Sequence, residues 1–159
     1  MSRQLWLLRH GDAEPHGTRV DAERRLTPRG EEQATMAGLA LKALDVSFAR
    51  VFTSPKVRAR DTAVLACAPL GVEVTEHEAL SSGFDSAEAL ALLRVVDASE
   101  RLLVVGHEPD FSQVVHDLTG ARVDFKKGAI AAVRLDTTTR GELTVLLRPR
   151  ELAAIGESA

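Results

Sequence analysis

The chain has 159 residues, 45% of them hydrophobic, with 20 Lys and Arg against 23 Asp and Glu for a formal net charge of −3. That length suits one compact domain with a real core, and the missing basic excess argues against nucleic acid or an anionic membrane as partner. A lone Cys67 cannot form an internal disulfide, and the first apolar run, Leu5-Trp6-Leu7-Leu8, is too short for a signal peptide or a membrane span. The expectation is a soluble cytoplasmic protein, monomeric by default because no long apolar patch stands out.

Leu5-Trp6-Leu7-Leu8 reads as a buried strand ended by Arg9-His10-Gly11. Residues 12–25 are polar, carry Pro15 and Gly17, and read as an excursion over the surface. Thr27-Pro28 starts a helix, with Ala34, Ala37, Leu41 and Leu44 as its apolar stripe. Val51-Phe52-Thr53 is a second strand, and Ser54-Pro55 opens a helix to about Ala68 that should turn Val57, Val64, Leu65 and Ala68 inward. A short strand is expected over residues 72–75, then a helix capped by Ser86 that sends Leu90, Leu93 and Val96 to the core. Residues 102–105 form an apolar strand, followed by a helix from about Asp110 to Leu118. Ile130–Leu135 and residues 143–147 complete the pattern as a hairpin joined through the Thr-rich residues 136–141.

Strands alternating with helices predict a three-layer α/β/α sandwich with a mostly parallel central sheet and a C-terminal β-hairpin, all in one domain. Ligands of such sheets bind beyond the carboxyl ends of the strands. Three of those ends carry unusual polar residues: Arg9-His10-Gly11, Ser54-Pro55 with Arg58, and Gly106-His107. Two guanidinium forks match the oxygens of a phosphoryl group, and a helix start at Ser54-Pro55 would add N–H donors. A neutral imidazole is a competent nucleophile towards phosphorus near pH 7. Glycine beside each histidine, Gly11 and Gly106, leaves room where backbone or ligand comes close.

These blocks resemble the signatures of the histidine phosphatase superfamily. Leu8-Arg9-His10-Gly11 is similar to its Arg-His-Gly motif, the stretch from Ser54-Pro55 through Arg58-Ala59 to Thr62 to its second block, and Gly106-His107-Glu108-Pro109 to its third. The resemblance implies that His10 becomes phosphorylated and that Arg9, Arg58 and His107 complete the phosphate pocket. Arg9–Ala13 as Arg-His-Gly-Asp-Ala, the Asp21/Arg24/Leu26-Thr27/Gly30 spacing, and Lys127-Gly128-Ala129-Ile130-Ala131 further resemble the short SixA-type phosphohistidine phosphatases. Ester-cleaving relatives place an acid after the second block; here the matching region offers Glu78 without a motif around it. A phosphorylated imidazole is already a good leaving group, so P–N cleavage is expected over cleavage of unactivated P–O esters.

The expected activity is therefore phosphohistidine hydrolysis on a phosphotransfer or phosphocarrier domain, without metal or other cofactor. Two alternatives stand beside it: a phosphomonoesterase acting on a small phosphorylated metabolite with Glu78 or Asp12 as acid, and a non-catalytic phosphate-recognition module. His16, His77 and His116 are expected to be ordinary solvent-facing or helix-face residues, and no tight ligand spacing points to a metal. Cys67 reads as a buried thiol. Lys126 and Lys127 would either guide an acidic protein substrate or sit as a solvated pair. Asp21, Arg24 and Thr27 read as a structural clamp, with a substrate-facing Arg24 as the minority view.

Overall fold

The computed structural model describes residues 2–136 and 140–158. Its strands are β1 (Arg3–Arg9), β2 (Arg50–Thr53), β3 (Thr75–Glu76), β4 (Arg101–Gly106), β5 (Ile130–Leu135) and β6 (Gly141–Leu147). They form one sheet in the order β3-β2-β4-β1-β5-β6, parallel from β3 to β1, with β5 antiparallel to both of its neighbours. The helices are α1 (Pro28–Ala43), α2 (Val57–Cys67), α3 (Ser86–Leu93), α4 (Asp110–Thr119) and α5 (Pro149–Glu157). The expected α/β/α sandwich with its antiparallel hairpin is what the chain builds.

The continuous apolar run in β1 follows from cover on both faces. Leu5 and Leu7 pack with Phe111, Val114 and Leu93 in the α3/α4 layer, while Trp6 and Leu8 pack with Ala37, Ala59 and Leu152 in the α1/α2/α5 layer. Leu5, Leu7 and Leu8 are fully buried, and each contributes about 1.5–3 kcal/mol by leaving water. Thr27 caps α1 as expected: its Oγ1 accepts from Gly30 N at 3.1 Å, and Pro28 fills the first helical position.

Several details differ from expectation. α2 begins at Val57 rather than at Ser54-Pro55, with Lys56 as its N-terminal flank. Its inward face is Ala59, Thr62, Ala63, Ala66 and Cys67, whereas Val64 is 53% exposed. Close packing of α2 on α1 requires small residues: a Cβ on Gly38 of α1 would lie 2.9 Å from the Ala66 carbonyl carbon. The α3 cap is Asp85, whose side chain accepts from Glu88 N at 2.9 Å, and Ser86 is merely the first helical residue. β3 is shorter than expected and starts three residues later, sharing only Thr75 with residues 72–75, because Thr75 and Glu76 are the ones in register with Phe52 and Thr53. Helix α5 was not expected at all; it docks on α1 through fully buried Leu152. The threonine-rich part of the hairpin connection, residues 137–139, lies outside the described residues.

Candidate active site

Backbone register assembles the floor of the site. Arg9 and Gly106 are partners in the parallel β1/β4 ladder, so His10 and His107 stand side by side one residue beyond it. His10 N donates to Gly106 O at 3.1 Å, and the two imidazole centroids are 5.2 Å apart. Thr53 pairs with Val105, which brings Ser54 beside His107: Ser54 Oγ and His107 Nε2 are 2.8 Å apart, and Ser54 Oγ accepts from Lys56 N at 3.2 Å. Thr62 joins this floor to α2, accepting from Gly11 N at 3.1 Å and donating to Arg58 O at 2.7 Å.

Both glycines beside the histidines are explained by packing. A Cβ on Gly11 would lie 2.6 Å from the carbonyl oxygen of Gly30, at the start of α1, and one on Gly106 would lie 2.8 Å from the Phe111 ring. The close approach expected there is made by backbone and by an aromatic ring of the protein itself.

His10 has a defined tautomer. Its Nδ1 lies 2.7 Å from Gly11 O; a carbonyl can only accept, so Nδ1 carries the proton and Nε2 of the neutral ring keeps its lone pair. Burial pushes the His10 pKa down to about 3, reinforced by Arg58, Arg9 and Lys127 and opposed by the Gly11 hydrogen bond. His107 is likewise lowered to about 3 by burial, with His10, Arg58 and Lys56 adding to the effect. Two neutral imidazoles among cations form a site prepared for an anion.

A second layer of contacts builds the wall. Arg58 and Arg24 are 5% and 7% exposed, and both converge on Asp21. Arg58 donates through Nη1 to Asp21 O at 2.8 Å and lies 3.3 Å from Asp21 Oδ2 through Nη2. Arg24 Nη2 is 3.1 Å from Asp21 Oδ1, and Lys56 Nζ is 3.1 Å from Oδ2. Partial burial opposes ionisation of Asp21, yet Lys56, Arg58 and Arg24 together hold its carboxyl well below the usual range. Arg9 is anchored by Nη1 donating to Phe125 O at 2.8 Å. Arg9 Nε, Arg58 Nε and His107 Nδ1 are buried without a protein partner. Unmet polar atoms of this kind need an explanation, and an anion seated among them provides one.

These groups surround a cavity of about 210 Å³ whose lining includes Arg9, His10, Arg24, Arg58, His107 and Lys127. All four predicted pocket residues therefore meet in one place. The clamp reading and the substrate-facing reading of Arg24 coexist, since it binds Asp21 and lines the cavity. Neither proposed acid does so. Glu78 is exposed on a short 3-10 turn. Asp12 instead accepts from Thr27 Oγ1 through Oδ2 at 2.7 Å and faces Lys127 through Oδ1 at 3.7 Å. The carboxylates in the cavity wall are Glu14 and Glu108. Glu108 was legible as the neighbour of His107 in the third block, whereas nothing in the sequence marks Glu14. His16 sits at the rim with an 87% exposed side chain, His77 stacks edge-on to Phe52 at 5.7 Å, and His116 lies exposed on α4. Cys67 is buried, which pushes its thiol up to about 12. Among the described residues, no three His, Cys, Asp or Glu side chains group as metal ligands, and no helix is long and apolar enough to cross a membrane.

Comparison with known proteins bears on this arrangement. The family model described as histidine phosphatase superfamily (branch 1) matches residues 5–83. An uncharacterized protein of Picosynechococcus sp. is 32% identical over 94% of this chain and 98% of its own length. The structure of the protein histidine phosphatase SixA complexed with tungstate superposes with a TM-score of 0.83 at 27% identity, covering 94% of this chain and 99% of that one. A phosphoserine phosphatase of Entamoeba histolytica, in complex with 3-phosphoglyceric acid, shares the fold at a TM-score of 0.75 and 17% identity, covering 94% and 99%. With its three motif blocks converging on one cavity at the strand ends, the chain belongs to the histidine phosphatase superfamily.

Proposed function

We propose that the protein is a phosphohistidine phosphatase that works through a phosphorylated His10 and needs no metal. The observation that carries the reading is the His10 ring: Nδ1–H is spent on Gly11 O, which leaves the Nε2 lone pair for attack on phosphorus. Arg9 and Arg58 bind the phosphoryl oxygens and spread their charge as the bond order shifts. Ser54 Oγ already accepts from Lys56 N, so its own proton can go to His107 Nε2. His107 then carries its proton on Nδ1, the buried atom without a protein partner, and donates it as a hydrogen bond to the phosphoryl group.

In the first step a bond forms between His10 Nε2 and phosphorus while the P–N bond to the substrate imidazole breaks, and that imidazole, already protonated on its other ring nitrogen, leaves as the neutral ring. In the second, water adds to phosphorus, the bond to His10 breaks, and inorganic phosphate departs with His10 neutral again. Similarity to SixA supports phosphohistidine as the substrate, and a leaving imidazole asks little of a general acid. A lone reduced thiol, Cys67, fits a reducing cytoplasm.

Glu108 favours a second reading. It lines the cavity, with Oε1 held by Ser112 N at 2.7 Å, and a carboxyl there could protonate an ester oxygen, which would admit a small phosphomonoester. The test is phosphate release from a histidine-phosphorylated carrier domain beside a small aryl phosphate, in the presence of chelator. Rapid release from the protein alone supports the phosphohistidine reading. Release from the ester alone transfers the site to small metabolites, and release from neither leaves a phosphate-recognition module.

A further inference from the structure

Beside the catalytic cavity lies a second, larger groove of about 550 Å³ that the chemistry above does not use. It is built by three separate pieces of chain: the start of α1 gives Arg29 and Gln33, the turn before β5 gives Lys126 and Lys127, and the start of α5 gives Arg148 and Arg150. Arg9 and Lys127 line both spaces, so the groove lies next to the phosphate site. Six basic side chains line it against one carboxylate, Asp12, although the whole chain carries a net charge of −3.

The neighbouring acids already show what these cations accept. Lys127 faces Asp12 at 3.7 Å, Lys126 faces Asp124 at 2.9 Å, and Arg148 and Arg150 share Glu151 at 3.0 and 3.4 Å. Lys127, Lys126 and Arg150 each hold their acid through one contact on a partly or fully exposed pair, of low strength, which water or another carboxylate can exchange, whereas Arg148 grips Glu151 with two guanidinium nitrogens at the start of α5. Arg29 has no carboxylate partner among the described ion pairs. We propose that this groove binds an acidic segment of the protein substrate, flanking the phosphohistidine whose phosphoryl group sits on His10. The inference rests on the phosphohistidine reading and deepens it. Separate cations on flexible stems, spread along a groove more than twice the volume of the cavity, suit carboxylates spaced along a chain better than one compact phosphate.

The test uses two synthetic peptides that differ only in flanking residues, phosphohistidine between glutamates and phosphohistidine between glutamines, together with free phosphohistidine. Arg29→Gln, Lys126→Gln and Arg150→Gln are combined in one variant, since all three side chains are exposed and lie outside the catalytic cavity. Arg148 is left alone because it forms the capping box of α5 with Glu151. The wild type should prefer the glutamate peptide by about tenfold or more in kcat/KM, with a preference that shrinks as salt rises. The variant should lose that preference while turning over free phosphohistidine as before, which also certifies its fold. Equal rates on both peptides in the wild type, or a preference that survives in the variant, overturn the groove assignment and leave the phosphohistidine reading standing. Turnover of an aryl phosphate but of no phosphohistidine compound overturns both. Inorganic tripolyphosphate that inhibits the wild type strongly but the variant weakly, while a glutamate-rich peptide inhibits neither, gives the groove to a small polyphosphate instead.

Discussion

The floor and the wall of the site are held by different physics. The floor is backbone: His10, Ser54 and His107 each follow a strand whose register is fixed by ladder hydrogen bonds, with Gly11 pressed on Gly30 and Gly106 on Phe111. The wall is side-chain electrostatics: residues 12–25 bring Arg24 to the cavity, and one carboxylate, Asp21, gathers Arg24, Lys56 and Arg58. Groups that must react are placed by covalent geometry and close packing, while groups that gather charge are placed by charge. The floor should be insensitive to salt and the wall should not.

The largest expected effect falls on the floor. His10→Ala should lower turnover of a phosphohistidine protein by at least about a thousandfold, while its melting temperature stays near that of the wild type, because truncation in an open pocket leaves no sealed core void. Unchanged turnover would remove His10 from the chemistry. Next comes a pair of stability changes that separates floor from wall. Gly11→Ala forces a Cβ against Gly30 O and should cost about 1–3 kcal/mol at any ionic strength. Asp21→Asn should cost about 2 kcal/mol at low salt, discounted from the figure for a fully buried pair because its side chain is 47% exposed. That loss should shrink in 0.5 M salt, where the Debye length falls to about 4 Å from about 30 Å at 0.01 M. Denaturant titration at two salt concentrations checks both, and equal salt dependence would erase the distinction.

Acid sharpens the same contrast. His10 and His107 are neutral in the fold with pKa values near 3, against about 6.5 in an unfolded chain. The unfolded state therefore binds more protons between those values, and stability is full above about pH 6.5 and falls as pH drops towards 3. Asp21 is also lowered, so its contribution is present above the ordinary carboxylate range and is lost only in more acidic solution, below about pH 4. His10→Ala should thus flatten the stability slope between pH 6 and 4 by about 1.4 kcal/mol per pH unit, whereas Asp21→Asn should leave that window unchanged. The smallest effect is ligand-linked: phosphate or tungstate at about ten times its Kd should stabilise the wild type by about 1.4 kcal/mol, raising the melting temperature by a few degrees. Arg58→Ala should abolish that rise.

The floor was legible in the sequence because its residues sit at the ends of strands whose apolar runs are unambiguous, Leu5-Trp6-Leu7-Leu8 above all. The wall was only half legible. Asp21 and Arg24 carry a spacing but no periodicity, and no local pattern shows that Asp21 also reaches Arg58, 37 residues away. Glu14 enters the cavity through contacts with Arg25 and Arg19 on the same excursion, and short polar segments carry no signal for such folding back. Apolar size points to the wrong face of α2, because close helix packing selects alanine and leaves Val64 in solvent. Helix α5 carries little periodicity because a single fully buried leucine, Leu152, anchors it, and its one local sign is the start signal of Pro149 and Glu151.

The most direct measurement is to mix the enzyme with a histidine-phosphorylated carrier domain, quench in alkali within the first turnover, and map phosphate on the enzyme by mass spectrometry. The account predicts phosphate on His10, absent in His10→Ala and gone once substrate is exhausted. Phosphate release at full rate with no phosphorylated His10 at any time would contradict it.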